Sequence, residues 1–359
     1  MNSLACVVLA AGEGKRMRSS RPKPLHLLCG RAMLLHVLDR LAEVDAERAV
    51  VVIGHGAERI TKTLVEDGPP GLPIDFVEQA VQRGTGDAAA VALTAFIDDD
   101  DDADLLIAPG DMPLIRSDTL RSLVDLHRSS GAAVTVLGAR VGDPTGYGRL
   151  VRGRDERVER IVEHSDANMD ELEIDEVNTS FYCFKRSLLA PALRRLTDDN
   201  AQAEYYLTDV VEVLSSAGHR VEALIVDDVS EMLGVNDRMQ LATAEAELRR
   251  RTNEAWLGRG VTMLDPVNTY IDATVDLGED VTLFPGTILQ GHTRIGARSE
   301  IGPDARLVDT VVGSDCVVRS TYAADAEIGD GSVVGPFCHL PPGASIAPGT
   351  ATGPFYTSP

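Results

Sequence analysis

Between residues 271 and 307 an aliphatic side chain returns at every sixth position: Ile271, Leu277, Leu283, Leu289, Ile295, Ile301 and Leu307. Neither an α-helix nor an ordinary strand has a period of six. A short extended run followed by a turn does, and three such runs close one coil of a parallel β-helix, each aliphatic stacking on the coil below. Glycine follows several repeat positions (Gly278, Gly296, Gly302), and the pattern resumes through Val312–Val318 and at Ile328, Val334, Leu340 and Ile346. Residues 261–350 therefore read as about five coils of three hexapeptides each.

Upstream the period changes. Leu4–Ala10 and Ala49–Ile53 read as buried strands with an amphipathic helix, Leu34–Val44, between them. Further strands are expected at Ile74–Val77, Leu105–Ala108, Ala132–Leu137, Arg157–Glu163 and Val221–Val226, and helices at Asp87–Phe96, Ser117–His127 and Tyr205–Ser215. Alternating strands and helices predict a Rossmann-like α/β domain with a mostly parallel sheet. Asn236–Leu257 reads as a long helix stopped by Gly258 and Gly260. The expected division is thus an α/β domain over 1–235, a linker helix over 236–260 and a β-helix over 261–359. The five aspartates Asp98–Asp102 read as a solvated loop. A calcium loop is ruled out because Ala103 and Pro109 stand where glycine and a bidentate glutamate are needed.

A net charge of −22 would repel nucleic acid and anionic membrane, so neither is an expected partner. No apolar run reaches the ~18–20 residues of a membrane span, and Leu4–Ala11 lacks the basic flank of a secretory signal. The five cysteines are scattered with no C-x-x-C pair, which predicts reduced thiols in a cytoplasmic protein and no zinc site. With 15 aromatic residues in the chain, small aliphatics must build the core. Against the acidic background, residues 15–23 carry Lys15, Arg16, Arg18, Arg21 and Lys23. A small anion reaching that segment feels the local cations, because charges beyond ~8–10 Å are screened.

The basic segment follows the first strand in the run Leu9-Ala10-Ala11-Gly12-Glu13-Gly14-Lys15-Arg16-Met17. A dinucleotide fingerprint fails at Met17, and a phosphate-binding P-loop fails at Leu9 and Arg16. What remains is a small-residue turn at the carboxyl end of a parallel strand, where open α/β sheets bind ligands. G-x-G alone is a weak signal. The full L-A-A-G-x-G-x-R-M followed by Pro22-Lys23-Pro24-Leu25 is far more specific.

These motifs resemble the sugar-phosphate nucleotidylyltransferases, and more closely the bacterial bifunctional N-acetylglucosamine-1-phosphate uridylyltransferase/glucosamine-1-phosphate acetyltransferase family. Further matching segments are Gln79 with Gly84-Thr85-Gly86, Gly110-Asp111-Met112-Pro113-Leu114, Asp143 to Arg149, Ile161 to His164, Val177-Asn178-Thr179, Asn200 to Asp209 and Gly234-Val235-Asn236. They run in order over residues 4–260. Singly, Asp111 reads as a cap, Asn178 and Asn236 as turn residues, Glu163 as a surface carboxylate, and His55 and His164 as ordinary hydrogen-bonding groups. The bland readings do not explain the order.

The resemblance implies a transferase that joins UTP and N-acetylglucosamine 1-phosphate with Mg²⁺. The Leu9, Ala10, Ala11 and Gly12 backbone and the Gln79 amide would read uracil, with Gly84 and Thr85 closing over the base. Lys23 would contact the nucleotide phosphate and Arg16 the departing pyrophosphate. Asp111, after Gly110, would hold the metal with Asn236, and Gly148, Glu163 and Asn178 would hold the sugar. It also implies a left-handed β-helix and a homotrimer formed through it. Pro109 stands where the family usually has an aromatic, and Ser180 where it has glycine, so the acceptor is less fixed than the reaction. Another sugar 1-phosphate or nucleotide, or a silent regulatory subunit, are the alternatives. The coils that carry the acetyltransferase histidine in the family are expected to be missing, and acetyl transfer with them.

Overall fold

A computed structural model describes residues 3–96 and 103–358; the loop reading of Asp98–Asp102 lies outside the described residues. The chain forms two compact units: Met1–His26 with Ala32–Leu241, and Leu27–Arg31 with Ala242–Pro359.

The first unit is built on a nine-stranded sheet. Its strands are β1 (Leu4–Leu9), β4 (Arg48–Ile53), β5 (Ile74–Glu78), β6 (Asp104–Pro109), β7 (Val134–Arg140), β8 (Arg149–Arg152), β9 (Val158–Val162), β10 (Glu176–Lys185) and β11 (Val221–Val226). Two short strands, β2 (Leu27–Leu28) and β3 (Arg31–Ala32), form a separate ribbon. The main order is β11-β7-β10-β6-β1-β4-β5, with β8 and β9 continuing from β10. β1 pairs in parallel with both β4 and β6, so chain order reverses at β1 and opens a crevice at the carboxyl ends of β1 and β6. Helices α1 (Met33–Ala42), α2 (Ala57–Asp67), α3 (Thr85–Leu93), α4 (Ser117–Ser130), α5 (Met169–Leu172), α6 (Arg186–Leu193) and α7 (Asp209–Ser216) accompany the strands, and α8 (Arg238–Gly258) leads into the second unit.

Alternate residues of one strand feed two cores. Leu4, Cys6 and Val8 join Leu34, Leu38 and Leu106 on one face, while Ala5 and Val7 join Val50, Val52 and Ile107 on the other. That explains near-continuous apolar runs with no alternation, the pattern of strands covered on both sides. Three of the few aromatics, Phe181, Tyr182 and Phe184, are fully buried on β10.

Several elements differ from the sequence reading. β10 lies antiparallel to both β6 and β7, where no strand was expected. The helix expected from Tyr205 begins at Asp209. Tyr205 is instead tied to the loop before α3, its N–H to Arg83 O at 2.8 Å and its carbonyl to Gly86 N at 2.7 Å. The α2 helix was also unforeseen.

In the second unit three parallel sheets of five strands each stack into a left-handed β-helix, as the sixfold period requires. Inward residues stack in register, as in Ile271, Leu289, Leu307, Ala323 and Leu340. Past Leu307 some turns lose a residue, so the inward positions Val312 and Ala323 come five residues after their predecessors. Fully buried hydroxyls between the stacks bond nearby carbonyls, for example Thr287 Oγ1 to Phe284 O at 2.7 Å, so few polar groups are left unmet.

Candidate active site

A cleft of about 360 Å³ opens in the first unit at the crevice beside β1 and β6. It gathers Leu9, Ala10, Ala11, Gly12, Lys23, Gln79, Gly84, Thr85, Gly110 and Asp111, residues from four separate sequence segments. Gly110 N–H donates to Leu9 O at 2.9 Å and so ties the two strand ends together. A side chain at Gly12 would meet nothing within 4 Å, so its backbone borders open space. At Gly14 the reverse holds. Its φ is 63°, and a Cβ there would lie 2.6 Å from Lys23 Cβ, so glycine is what lets the lysine stem pass.

Lys23 is the cation that reaches the centre. Its Nζ donates to Asp111 Oδ2 at 2.5 Å and to Asn236 Oδ1 at 2.7 Å, with the lysine side chain only 13% exposed. Val235 N–H bonds Asp111 O at 2.9 Å, which brings the Gly234–Asn236 turn against the end of β6. One carboxylate oxygen and one amide oxygen therefore already flank a positive charge. The rest of the basic segment stays outside. Arg16 and Arg18 are exposed in and after a short 3₁₀ turn, and Lys15 pairs with Glu13 at 2.6 Å. Arg16 does not line the cleft.

Gln79, buried at 5% exposure, is oriented by its own amide. Its Nε2 donates to Asp87 Oδ2 at 2.8 Å and Gly84 O at 3.1 Å, while its Oε1 accepts nothing among the described residues. An oriented acceptor in the cleft wall suits a ligand edge that carries an N–H.

Gly148, Glu163 and Asn178 also come together. Asn178 N–H donates to Gly148 O at 2.8 Å, and a Cβ on Gly148 would lie 3.5 Å from Glu163 Oε2. Burial raises the Glu163 pKa, opposed by the Thr208 hydroxyl that donates to Oε1 at 3.1 Å. Nearby Asp209 is pushed up to about 6, by burial first and then by Glu212 and Glu163. None of the three lines the cleft itself.

Among the described residues no three His, Cys, Asp or Glu side chains cluster to hold a metal ion. All five cysteines are unpaired and buried. No described helix is long and apolar enough to cross a membrane.

The family model for the MobA-like NTP transferase domain matches residues 6–213. The chain is 43% identical to a protein named Bifunctional protein GlmU from Exiguobacterium sibiricum, over 99% of this chain and 77% of that one. It is 45% identical to the protein of that name from Mycobacterium tuberculosis, over 98% and 71% of the two chains. The Caldanaerobacter subterraneus protein of the same name is 43% identical over 96% and 74%.

The chain belongs to the GlmU family.

As a member it is a nucleotidyltransferase acting on sugar phosphates. Several residues in or near the cleft escaped the sequence reading. Gln82 donates from Nε2 to Ala11 O at 2.5 Å and closes the small-residue turn from the far side. Thr208 holds Glu163, and Tyr182 accepts from Asn178 Nδ2 at 2.7 Å. Gln82 offered no signal beyond its place two residues before Gly84. Thr208 lies in the Asn200–Asp209 segment that carries the family resemblance, but no role was assigned to it there. Ser180 and Pro109, the two departures from the family pattern, both line the cleft. His164 makes an ordinary contact, its Nδ1 3.4 Å from Arg149 Nη2.

Proposed function

We propose that the cleft transfers the uridylyl group of UTP to N-acetylglucosamine 1-phosphate, forming UDP-N-acetylglucosamine and pyrophosphate. The observation that carries this reading is Lys23 held between Asp111 and Asn236 at the edge of a base-sized cleft. A phosphate oxygen of the sugar phosphate attacks the α-phosphorus, and the bond to pyrophosphate breaks as the new P–O bond forms. No protein nucleophile is needed, so catalysis rests on alignment and on neutralising charge. Lys23 supplies a buried-side cation to the phosphates, and Arg16, free on its turn, meets the departing pyrophosphate. Gln79 Oε1 and the Leu9–Gly12 backbone read the base, with Gly84 and Thr85 over it. Gly148, Glu163 and Asn178 form the sugar end.

The Asp111–Asn236 pair fits a divalent cation such as Mg²⁺, because both groups offer hard oxygens already spaced around a positive charge. Two protein oxygens with the remainder from phosphates is the usual arrangement for Mg²⁺. Such an ion would draw off charge that builds on the triphosphate. The direct test is pyrophosphate release by the purified protein across a grid of nucleoside triphosphates and sugar 1-phosphates. UTP with N-acetylglucosamine 1-phosphate should stand out, and equal use of ATP or GTP would contradict the pocket reading.

Gln79→Ala tests the base subsite. Leaving the base's polar edge unmet costs ~1–3 kcal/mol, so UTP use should fall roughly 10–100-fold, with little change for the sugar phosphate. A variant that keeps the normal kcat/KM for UTP removes Gln79 from base recognition.

For the β-helix we propose assembly, through a homotrimer, and no acetyl transfer by these coils. Its two histidines support this. His292 and His339 are both exposed, and the His339 ring lies against Tyr322 with centroids 5.7 Å apart. Incubation with acetyl-CoA and glucosamine 1-phosphate should release no CoA thiol above a control lacking the acceptor. Release above that control overturns the assignment.

A further inference from the structure

One residue at the cleft holds a backbone conformation that its type rarely adopts. Ser180 has φ 63°, in the left-handed region where glycine rests freely and serine does not. It lies where the pairing of β10 with β7 slips, between Asn178 and Tyr182. The surroundings fix it there. Ser180 N–H donates to Asn178 Oδ1 at 3.0 Å, and Asn178 Nδ2 donates to Tyr182 Oη at 2.7 Å. Tyr182 is 1% exposed and Asn178 5%, so this frame is rigid. The Asn178 amide thus ties the Ser180 backbone, through its oxygen, to the buried Tyr182 phenol, through its nitrogen.

The held residue faces the chemistry. Ser180 lines the cleft with Lys23, Pro109, Gly110 and Asp111. Pro109, the last residue of β6, lines the same cleft two residues beyond Ile107, the partner of Tyr182. Pro109 has no N–H and no polar side-chain atom, whereas Ser180 brings a hydroxyl to the same cleft. Strained residues that their neighbours over-determine cluster at ligand clamps.

We propose that Ser180 selects the sugar 1-phosphate, its hydroxyl being held at the cleft wall to hydrogen-bond the acceptor's sugar. This rests on the uridylyl-transfer reading above. A hydroxyl offers one donor and two acceptor lone pairs. A site built around such a bond discriminates strongly against sugars that lack the matching group. Asn178 acts here as a positioning residue.

The test uses the full chain with Ser180→Gly and Ser180→Ala, measuring kcat/KM with UTP for N-acetylglucosamine, glucosamine and glucose 1-phosphates. Glycine suits a φ of 63°, so Ser180→Gly should melt no lower than the wild type. In both variants the ratio of best to next acceptor should fall by roughly ten-fold or more, with KM for UTP within about two-fold of wild type. Wild-type acceptor ratios in Ser180→Ala would overturn the proposal, as would equal losses for UTP and acceptor. If the wild type turns over none of these acceptors with UTP, the parent reading fails first, which separates the two.

Discussion

Asp111→Ala is expected to lose at least roughly 10³-fold in pyrophosphate release while keeping its fold. The loss follows from what the carboxylate is next to. Asp111 follows Gly110 past the end of β6, with its side chain 30% exposed and its Oδ2 2.5 Å from Lys23 Nζ. Among the described residues it is the one carboxylate that touches Lys23, and Asn236 alone would give a divalent ion a single neutral oxygen. On the proposed reading, removing it would leave a bound divalent ion with no charged protein oxygen from the Asp111–Asn236 pair. The fold should survive, because Asp111's backbone bond to Val235 N and the Gly110–Leu9 tie need no side chain. A partly exposed pair of this kind contributes little to stability. Pyrophosphate release with and without Mg²⁺, together with thermal melting, reads both halves. Near-normal Mg²⁺-dependent rates in a well-folded variant would remove Asp111 from the metal and leave the charge balance of the cleft unexplained.

Much of this cleft was legible because its residues are short-range. Leu9 to Gly12 and Gly110-Asp111 each sit in a contiguous run where a strand ends, and Gly84-Thr85 opens a helix, so position alone suggests ligand contact. The β-helix was legible for the same reason, since a six-residue period survives in one dimension. Where a turn shortened after Leu307 the period broke, and the inward Ala323, small and out of phase, was missed. Long-range placement was not legible. That Lys23 leaves the basic segment and lies between Asp111 and Asn236 depends on residues 88 and 213 positions away. That Arg16 stays on the surface depends on where the Lys15–Met17 turn points. β10 escaped because it buries Asn178 and Thr179 among its apolar residues, and a buried polar pair breaks the pattern a reader looks for. The same bulge hid Asn178's role: its neighbours in sequence, Ser180 and Tyr182, are also its hydrogen-bond partners, a fact visible only once the strand slips its register.

Lys23→Met should move two measurements in opposite directions. Turnover should fall roughly 10²–10³-fold, because the cation nearest the reacting phosphates is gone while methionine keeps the packing of the stem beside Gly14. Binding of Mn²⁺ in the absence of nucleotide should tighten, by roughly ten-fold or more. The ammonium and a divalent ion compete for the same two oxygens, and one charge pair at ~4 Å is worth up to ~4 kcal/mol at an effective dielectric near 20. Solvent reaches Asp111, at 30% exposure, so only part of that is recovered. On the proposed reading the nucleotide would have a thermodynamic role before any bond breaks: its phosphates would give Lys23 a second partner and so free Asp111 and Asn236 to hold the metal. In wild type, Mn²⁺ affinity should therefore rise when UTP is present. In Lys23→Met that rise should shrink, because the competitor has already been removed. Manganese titrations followed by electron paramagnetic resonance, with and without UTP, give both numbers. Unchanged Mn²⁺ binding in Lys23→Met, with turnover lost as expected, would make Lys23 a phosphate ligand alone and leave metal and nucleotide to bind independently.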